Sequence, residues 1–423
     1  MNPATKGMHM GSTAELDPQA REALEFLYKD LHTHPELSFA ETRTAGKIAE
    51  QLTALGLRVI GGVGRTGVVG VLENGAGPVV LLRADIDALP VREQTGLPYA
   101  STATGTDPDG NEVPVMHACG HDMHIVCLLG ALGILDRNKD TWSGTVVAVF
   151  QPAEEVGSGA QAMVDDGLYE RVPKPDIVLA QHVGPFPAGT VAYRAGDTYS
   201  AADAWKVRLF GRGGHGSRPE TTIDPVVMAA ATVMRLQTVR SREVAGNEPA
   251  VVTVGSIRAG TKANIIPDEA ELLLNIRSYD ANTRTHILDA IRRIIEAEAA
   301  ASGAPKDPEI TVIDSFPVLH NDPDATAKTA AALRDALGDK VFELPTPVMA
   351  SEDAGTLATA IDVPIVYWFF GGADPAAFAE AFAKGRVAQD IPSNHSPNFA
   401  PLIQPTLDTG CVAMATAALA WLG

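Results

Sequence analysis

The densest concentration of reactive side chains lies at residues 117–124, which read His-Ala-Cys-Gly-His-Asp-Met-His. Three of the chain's 11 histidines stand there beside a thiol and a carboxylate. A thiolate and imidazoles suit zinc and other late divalent ions, and carboxylates also admit manganese. Cys119 and His121 are therefore the first candidate metal ligands. His117 and His124 could equally be ordinary polar residues at the start of a helix, and the sequence leaves both interpretations open.

A second cluster, Gln151-Pro152-Ala153-Glu154-Glu155, directly follows a run of apolar residues. Adjacent side chains diverge on extended backbone. In a loop beyond a strand, however, both carboxylates can face one cavity. One can then bind a metal ion while the other removes a proton from water, because a carboxylate near cations stays ionised at neutral pH. Taken alone, two adjacent glutamates are more often a solvated acidic loop.

Two isolated histidines complete the set: His182 follows an apolar run, and His395 lies in Ser393-Asn394-His395-Ser396-Pro397. A lone histidine after a strand is more often structural than a ligand, so neither would be selected by itself. The combined set supplies five protein ligands, which is about the number needed by two metal ions that share a bridging water and a bridging thiolate. The five are Cys119, His121, Glu155, His182 and His395.

These side chains need elements that bring them together. Apolar runs end abruptly in polar residues at 79–82, 145–150, 177–180 and 365–370, and segments with helical spacing separate them. Continuous apolar runs that alternate with helices predict an α/β domain, in which a mixed central sheet has helices on both faces and its strands are buried between them. Ligands of such sheets bind beyond the carboxyl ends of the strands, which is where the candidate residues would lie. Two surface helices are predicted between about residues 18 and 56.

The segment 194–314 has a different pattern. It reads as strands at 204–210, 251–257, 270–278 and 309–313, with helices at 225–239 and 284–300. This βαββαβ order is that of the ferredoxin-like unit. Because the α/β pattern resumes near residue 317 and 423 residues exceed one usual core, we predict two domains. Residues 1–193 and 315–423 form the metal-binding domain, and residues 194–314 form an inserted domain.

Composition excludes several classes of protein. A net charge of -19 with no Lys/Arg cluster argues against nucleic-acid binding, because neutralising phosphates needs a basic surface. No run of about 18 or more uncharged apolar residues occurs, and residues 1–17 lack the apolar run of a signal peptide. Three cysteines are too few for a disulfide framework. We therefore expect a cytoplasmic protein with neither a nucleic-acid nor a membrane partner.

In combination and order, the motifs resemble those of the aminoacylase and carboxypeptidase-G class of co-catalytic metallohydrolases. They are most similar to its amidohydrolase branch, which includes hippurate hydrolases and plant auxin-conjugate hydrolases. The resemblance covers nearly the whole chain. Besides the clusters above, it rests on His32-Thr33-His34-Pro35-Glu36-Leu37, Arg83-Ala84-Asp85-Ile86-Asp87-Ala88-Leu89-Pro90, Gly213-Gly214-His215-Gly216-Ser217, Asn264-Ile265-Ile266-Pro267 and Ser351-Glu352-Asp353.

The resemblance implies roles for individual residues. The five ligands would bind two divalent ions per subunit, Zn²⁺ or Mn²⁺ with Co²⁺ and Ni²⁺ as further candidates, and Glu154 would be the general base. The inserted domain would act as a lid, in which His215 stabilises the oxyanion, often in the active site of the partner subunit. Asn264 and Arg277 would contact the substrate or its carboxylate. A homodimer or higher homo-oligomer joined through this domain follows from the resemblance alone.

The sequence departs from the wider class near Asp85. Many relatives place a His ligand two residues before an Asp, whereas here Asp85 precedes Asp87, and Cys119 takes over the coordination. We expect Asp85, Asp87 and Asp122 to orient ligating imidazoles from behind. The branch also often has Phe after Ser-Glu-Asp. This chain has Ala354 there, which predicts a changed substrate pocket.

The predicted function is metal-dependent hydrolysis of the amide bond in small N-acyl or N-aroyl amino acids. The alternative is a metallo-exopeptidase, a dipeptidase or carboxypeptidase, which uses the same chemistry with a different pocket. A metal-binding sensor or scaffold without turnover is less favoured, because a structural metal site has no need of a spare base, Glu154, beside the ligand Glu155.

Overall fold

The computed structural model describes residues 15–423, so the predicted absence of a signal peptide falls mostly outside the described residues. The described chain divides into two compact units. The larger comprises the described residues up to Gly196 together with His320–Thr346 and Asp353–Gly423. The smaller comprises Asp197–Leu319 and Pro347–Glu352.

An eight-stranded mixed sheet forms the centre of the larger unit. Its four central strands are parallel to one another, and antiparallel pairings flank them on both sides. The predicted α/β class, with a mixed sheet flanked by helices, is confirmed. The spatial order is Arg58–Val63, Gly67–Asn74, Gly144–Gln151, Val79–Asp85, Ile177–Pro187, Ile365–Ala373, Val191–Tyr193 and Val341–Glu343.

The helices of the larger unit cover this sheet, and one of them is central. Of the 17 residues in His121–Arg137, 14 are buried, because this helix is apolar on nearly every side and packs against Ile403–Leu422. No helix in the described part of the chain is both long and apolar enough to cross a lipid bilayer. The remaining helices of this unit are Pro18–Thr33, Thr42–Ala54, Gly159–Asp165, Leu168–Arg171, Pro323–Leu337, Gly355–Thr359, Pro375–Ala383 and Val387–Asp390.

The first helix, Pro18–Thr33, illustrates how the sequence sets an element. The Asp17 carboxylate accepts hydrogen bonds from two N–H groups of the first turn, and proline occupies the first helical position. Leu24, Leu27 and Leu31 recur at helical spacing and are buried. The helical spacing seen in the sequence is therefore the spacing of residues that face the core.

The smaller unit has the predicted βαββαβ order. Four antiparallel strands form one sheet, and the Pro225–Thr238 and Ala281–Ala301 helices pack on it. Every second residue of Glu269–Ser278 is buried, which places its apolar side chains against the helices. In spatial order the strands are Ala250–Ala259, Glu269–Ser278, Ala201–Phe210 and Glu309–Phe316, and a separate pair is formed by Gly214–His215 and Ile265–Ile266.

The boundary of the smaller unit differs from 194–314. Residues 347–352 join this unit, although they lie within the segment assigned to the metal-binding domain. Backbone hydrogen bonds explain the difference: the Val348 N–H donates to the Thr198 carbonyl at 2.9 Å, and the Ser200 N–H donates to the Ala350 carbonyl at 3.0 Å. Short strands at Gly196–Tyr199 and Leu319–Asn321 lie where the chain passes between the units, and Thr104–Thr106 pairs with Glu112–Pro114 in a small hairpin.

The strand that carries His182 is longer than the predicted run of 177–180. It extends over Ile177–Pro187, so His182 lies inside the strand rather than after it. On one side it continues to pair with Ile365–Ala373, whereas on the other side Val79–Asp85 pairs only as far as Ala180. His182 therefore stands beyond the end of one neighbouring strand while the other still supports it.

The two longest central strands approach very closely at Gly371. A Cβ atom at this position would lie 1.9 Å from the carbonyl oxygen of Pro187. Only glycine fits here without moving the backbone. This approach keeps the carboxyl ends of the two strands side by side, at the edge where the candidate ligands lie.

We predict that Gly371→Ala destabilises the larger unit by about 1–3 kcal/mol, because the added methyl group forces two backbones apart. Thermal unfolding measures the effect as a drop in the transition midpoint of roughly 1–2 °C per kcal/mol, because the unfolding entropy, about 2 cal/mol/K per residue, is large for a chain of this size. The matched control is Gly61→Ala in the Arg58–Val63 strand, where nothing lies within 4 Å of the added Cβ. Equal midpoints for the two variants would contradict the close approach.

Candidate metal centre

The structure brings the five predicted ligands together at the carboxyl edge of the central strands. Cys119 Sγ lies 3.5 Å from His182 Nε2, His121 Nε2 lies 3.8 Å from Glu155 Oε1, and His395 Nε2 lies 3.3 Å from Glu155 Oε2. Two protein atoms that bind the same ion at about 2.0–2.3 Å stand roughly 3–4 Å apart. The observed separations therefore suit atoms that share cations.

Two buried atoms at this centre identify where a cation fits. His121 Nε2 and Glu155 Oε1 have no hydrogen-bond partner among the described residues, although they face each other. Buried polar atoms without a partner are costly. His182 Nδ1 donates to the Val183 carbonyl at 2.8 Å, which leaves the Nε2 lone pair directed to Cys119. Imidazole, carboxylate and thiol groups with free lone pairs are a donor set for a divalent metal ion.

The electrostatics of the centre also favour cations. Burial first, and then Glu155, Glu154 and Asp85, raise the pKa of the Cys119 thiol well above its usual value. Burial opposes protonation of His121, but surrounding carboxylates outweigh it and raise the pKa of this imidazole to about 10. Both shifts report a concentration of negative charge. A divalent cation would relieve it and would displace the thiol proton.

Strained backbone flanks the centre. His395 has φ +70° and Ala153, next to Glu154, has φ +50°, a region that residues other than glycine rarely occupy. Hydrogen bonds hold both segments, since the His395 N–H donates to the Ala118 carbonyl at 2.8 Å. Asn394 Nδ2 donates to the carbonyls of Cys119 and Val183, each at 3.1 Å. Asn394 thus links three segments that carry ligands, a role not predicted from the sequence although the residue precedes His395.

His124 belongs to a buried cluster with Asp85, His121 and His182, yet both of its ring nitrogens are engaged. Nδ1 donates to Asp85 Oδ1 at 2.5 Å, and Nε2 accepts the Val183 N–H at 2.8 Å. A ring with no free lone pair cannot bind a metal without losing a hydrogen bond. The structure therefore favours an orienting role for His124. His117 is buried, and neither of its ring nitrogens has a hydrogen-bond partner among the described residues.

Asp85 is held from behind by a fully buried arginine. Arg83 Nη1 donates to Asp85 Oδ2 at 2.8 Å, and Arg83 Nε donates to Gln151 Oε1 at 2.8 Å. Burial opposes ionisation of Asp85, but Arg83 and then His121 and His124 hold its pKa well below the usual value. Gln151 also donates to Asp353 Oδ1 at 2.6 Å, and Ala354 beside it is fully buried. The signal for this network in the sequence was an arginine at the end of an apolar strand.

Asp87 anchors the turn that carries both glutamates. Its Oδ1 accepts the Glu154 N–H and its Oδ2 accepts the Glu155 N–H, both at 3.1 Å. Oδ1 also lies 3.3 Å from His121 Nδ1, on the opposite side of that ring from Glu155. Asp87 is therefore placed to orient a candidate ligand imidazole. Asp85 contacts His121 at 3.5 Å but makes its short contact with His124.

Asp122 differs from the expectation, because its carboxylate contacts His32 rather than a candidate ligand. Asp122 Oδ2 lies 2.6 Å from His32 Nδ1, and Glu93 Oε1 lies 3.2 Å from His32 Nε2. Consecutive residues of a helix point about 100° apart, so Asp122 faces away from the side that His121 presents to the centre. Asp122 and Glu93 together raise the pKa of His32 to about 10 even though burial opposes protonation.

The remaining candidates lie in the smaller unit. His215 pairs with Ile265 in a two-stranded sheet, and the Gly216 N–H donates to the Asn264 carbonyl at 2.8 Å, so His215 and Asn264 are neighbours along this pair. His215 Nδ1 accepts the Ser217 N–H at 3.2 Å, which leaves the ring proton on Nε2. Arg277 is half-buried and donates to the Met349 carbonyl at 2.8 Å.

Comparison with known proteins gives consistent matches. A model of peptidase family M20/M25/M40 matches residues 81–387. The chain is 37% identical over 348 residues to thermostable carboxypeptidase 2 of Saccharolobus solfataricus, a match that spans 81% of this chain and 84% of the relative. It is 38% identical over 336 residues to the hippurate hydrolase of Campylobacter jejuni, spanning 78% and 84%. A solved Bacillus subtilis structure described as a dinuclear metal binding peptidase has a TM-score of 0.73 at 28% identity, covering 96% of this chain and 99% of that one.

The His32 contacts predict a pH dependence of stability. The pKa of His32 is raised from 6.5 to about 10 in the folded protein. The stabilisation that protonated His32 gives to the folded state is therefore complete below pH 6.5, and it is lost as the pH rises through about 10. The difference in unfolding free energy between wild type and His32→Gln should therefore shrink by up to about 4 kcal/mol between about pH 6 and pH 9.5. Urea unfolding of both proteins across this range measures it. A difference that does not change with pH would show that folding does not raise the pKa of His32.

Proposed function

We propose the function from one premise, that the chain belongs to peptidase family M20/M25/M40. The proposed reaction is metal-dependent hydrolysis of the amide bond of N-acyl or N-aroyl amino acids, which releases a carboxylic acid and a free amino acid. One observation carries the proposal. Glu154, a buried carboxylate outside the five candidate ligands, lies with its Oε2 3.9 Å from His121 Nε2 at the centre of the cluster.

Two divalent cations would be held by Cys119, His121, Glu155, His182 and His395, in the larger unit. The mixed sulfur, nitrogen and oxygen donors favour Zn²⁺ or Mn²⁺, with Co²⁺ and Ni²⁺ as alternatives. When bound, such ions lower the pKa of water and withdraw electron density from a carbonyl group. His395, held in a strained conformation by the Ala118 carbonyl, would complete the set from a segment remote in sequence.

The protein's own part in the reaction centres on Glu154. Its carboxylate removes a proton from the attacking water as the new C–O bond forms at the acyl carbonyl. The same carboxyl then gives that proton to the amine nitrogen as the C–N bond breaks, so Glu154 ends the cycle ionised. A general base of this kind contributes about 10²- to 10⁴-fold to the rate.

Residues of the smaller unit would bind the substrate and stabilise the charge that develops on the carbonyl oxygen. His215 carries its proton on Nε2, which supports a role as a hydrogen-bond donor to that oxygen, worth about 3 kcal/mol. Arg277 is cationic and suits the substrate carboxylate. Asn264, exposed next to the His215 strand, would contact the substrate as well.

A metallo-exopeptidase is the second candidate, and the similarity to a protein named as a carboxypeptidase favours it. The two functions differ on the acyl side of the scissile amide, where a dipeptide carries a free α-amine and an N-acyl amino acid does not. Hydrolysis rates on hippurate, N-acetyl amino acids and dipeptides discriminate them. Faster hydrolysis of dipeptides throughout the panel would replace the proposal by the second candidate.

We also propose that two or more copies associate through the smaller unit and that the protein is cytoplasmic. Most of the large apolar side chains that are exposed in the described chain lie in that unit, including Val227, Met234, Ile257 and Val312. The concentration of exposed apolar side chains in one unit supports association through that unit. The three cysteines are free, as suits a reducing compartment.

The metal requirement gives a direct prediction. A strong chelator should abolish hydrolysis of hippurate and N-acetyl amino acids, and Zn²⁺, Mn²⁺ or Co²⁺ should restore it, because the candidate ligands suit hydrolytic metals. Elemental analysis should find about two ions per subunit after reconstitution. Full activity in metal-free protein would rule out the proposed chemistry.

Substitution of the two adjacent glutamates should impair the protein in different ways. Glu154→Gln cannot accept a proton, so kcat should fall by at least about 10²-fold while the metal content stays normal. Glu155→Gln removes an anionic ligand, so its main effect should be a lower affinity for the metal ions. Steady-state kinetics and elemental analysis of both variants test this. Loss of metal in Glu154→Gln alone would reverse the two roles, and unchanged turnover in both would place the active site elsewhere.

A further inference from the structure

Glu41 is a fully buried carboxylate of the larger unit that the mechanism above does not use. It lies just before the Thr42–Ala54 helix, more than a hundred residues from the reactive turn in sequence. Its Oε1 accepts the Ala153 N–H at 2.9 Å and the Phe39 N–H at 2.9 Å. Its Oε2 accepts the Thr66 hydroxyl. Both oxygens are thus engaged, and one of the bonds reaches the residue that precedes Glu154.

The Ala153 contact completes a pattern. Three consecutive backbone N–H groups donate to carboxylates: that of Ala153 to Glu41, and those of Glu154 and Glu155 to Asp87. Ala153 has φ +50°, an unfavourable backbone conformation that costs of order 1–3 kcal/mol and persists only where surrounding contacts impose it. Glu41 supplies the contact to that peptide group. The conformation it imposes sets the direction in which the next side chain, that of Glu154, leaves the backbone.

Retaining an ionisable group at this position is costly. Burial first, and the neighbouring Asp87 carboxylate second, raise the pKa of Glu41 to about 7. The Ala153 N–H needs an acceptor oxygen at this position, which either a carboxylate or a side-chain amide supplies. The placement of that oxygen matters because proton transfer is sensitive to geometry: a misplacement of about 1 Å can lower a rate by about 10²-fold.

We propose that Glu41 is a positioning residue for the hydrolytic base: through the Ala153 peptide it holds Glu154 in the direction needed for proton transfer. This inference rests on the proposed function, in which Glu154 is the base. Glu41 is hydrogen-bonded to the Ala153 and Phe39 N–H groups and to Thr66, not to a candidate ligand. What it supplies to the turn is the single acceptor oxygen Oε1, so an uncharged side chain that keeps a carbonyl oxygen there should serve.

Two substitutions separate this role from a general effect on folding. Glu41→Ala removes the acceptor for the Ala153 N–H, so kcat on hippurate should fall by about 10- to 100-fold with KM within about threefold and metal content unchanged. Glu41→Gln keeps a carbonyl oxygen for both N–H groups, and its amide can donate to the Thr66 hydroxyl. This variant should retain at least about half of the wild-type kcat, because the geometry is preserved.

Glu36→Ala is the matched control. The Glu36 carboxylate accepts the N–H groups of Arg43 and Thr44, at 2.9 and 2.7 Å, in the first turn of the helix that follows Glu41, and it has no bond to the 153–155 turn. Its loss should lower the melting midpoint through that helix while kcat stays within about twofold of wild type. If Glu41→Ala lowers kcat no more than Glu36→Ala does, or if Glu41→Gln is as impaired as Glu41→Ala, the proposal is wrong.

Hydrogen exchange tests the same contact without any substrate. In Glu41→Ala, amide exchange in a peptide covering residues 150–158 should accelerate by at least about tenfold, whereas Glu41→Gln and Glu36→Ala should match wild type. Unchanged exchange in Glu41→Ala overturns the proposal. Wild-type protein that hydrolyses nothing in the substrate panel would instead refute the proposed function, and the exchange data would still show whether Glu41 holds the turn.

Discussion

Every carboxylate buried at the carboxyl edge of the large sheet needs a positive charge or a hydrogen-bond donor, because an uncompensated buried charge is prohibitively costly. The compensating group differs from one carboxylate to the next. Asp85 has the Arg83 guanidinium, and Asp87 has the backbone N–H groups of Glu154 and Glu155. Glu155 Oε1 and His121 Nε2 face each other without a hydrogen-bond partner among the described residues. The cations of the proposed function would complete the compensation, which ties metal binding to the integrity of this edge.

The parallel strands make that concentration of charge possible. The four central strands are neighbours that run in the same direction, so the side chains at or beyond their carboxyl ends lie close together without a long loop. These strands are Gly144–Gln151, Val79–Asp85, Ile177–Pro187 and Ile365–Ala373. The buried helix that begins at His121 brings Cys119 and His121 to the same edge. A strand, a turn, a helix start and a strained loop thus each contribute a side chain to one small volume.

The sequence predicted what depends on residue type and local spacing. The α/β class, the βαββαβ unit and the set of reactive residues at strand ends all follow from such patterns. It could not decide between two roles for His124, because that depends on the Val183 N–H, 59 residues away. It missed Glu41 because the bond to Ala153 spans 112 residues. The direction of the Asp122 side chain could have been predicted from the sequence, because a residue one position after His121 on a helix points away from the side that His121 presents to the centre.

The larger unit is built from separate stretches of the chain, so its parts are synthesised at different times. A central strand, Ile365–Ala373, is made only after the whole of the smaller unit, whereas its neighbour Ile177–Pro187 is complete before any of the smaller unit emerges from the ribosome. During synthesis that neighbour has an unpaired edge, a known aggregation hazard. The smaller unit, almost continuous in sequence, can fold in the interval. His395 is synthesised later still, so the full set of candidate ligands exists only after every strand of the large sheet has been made.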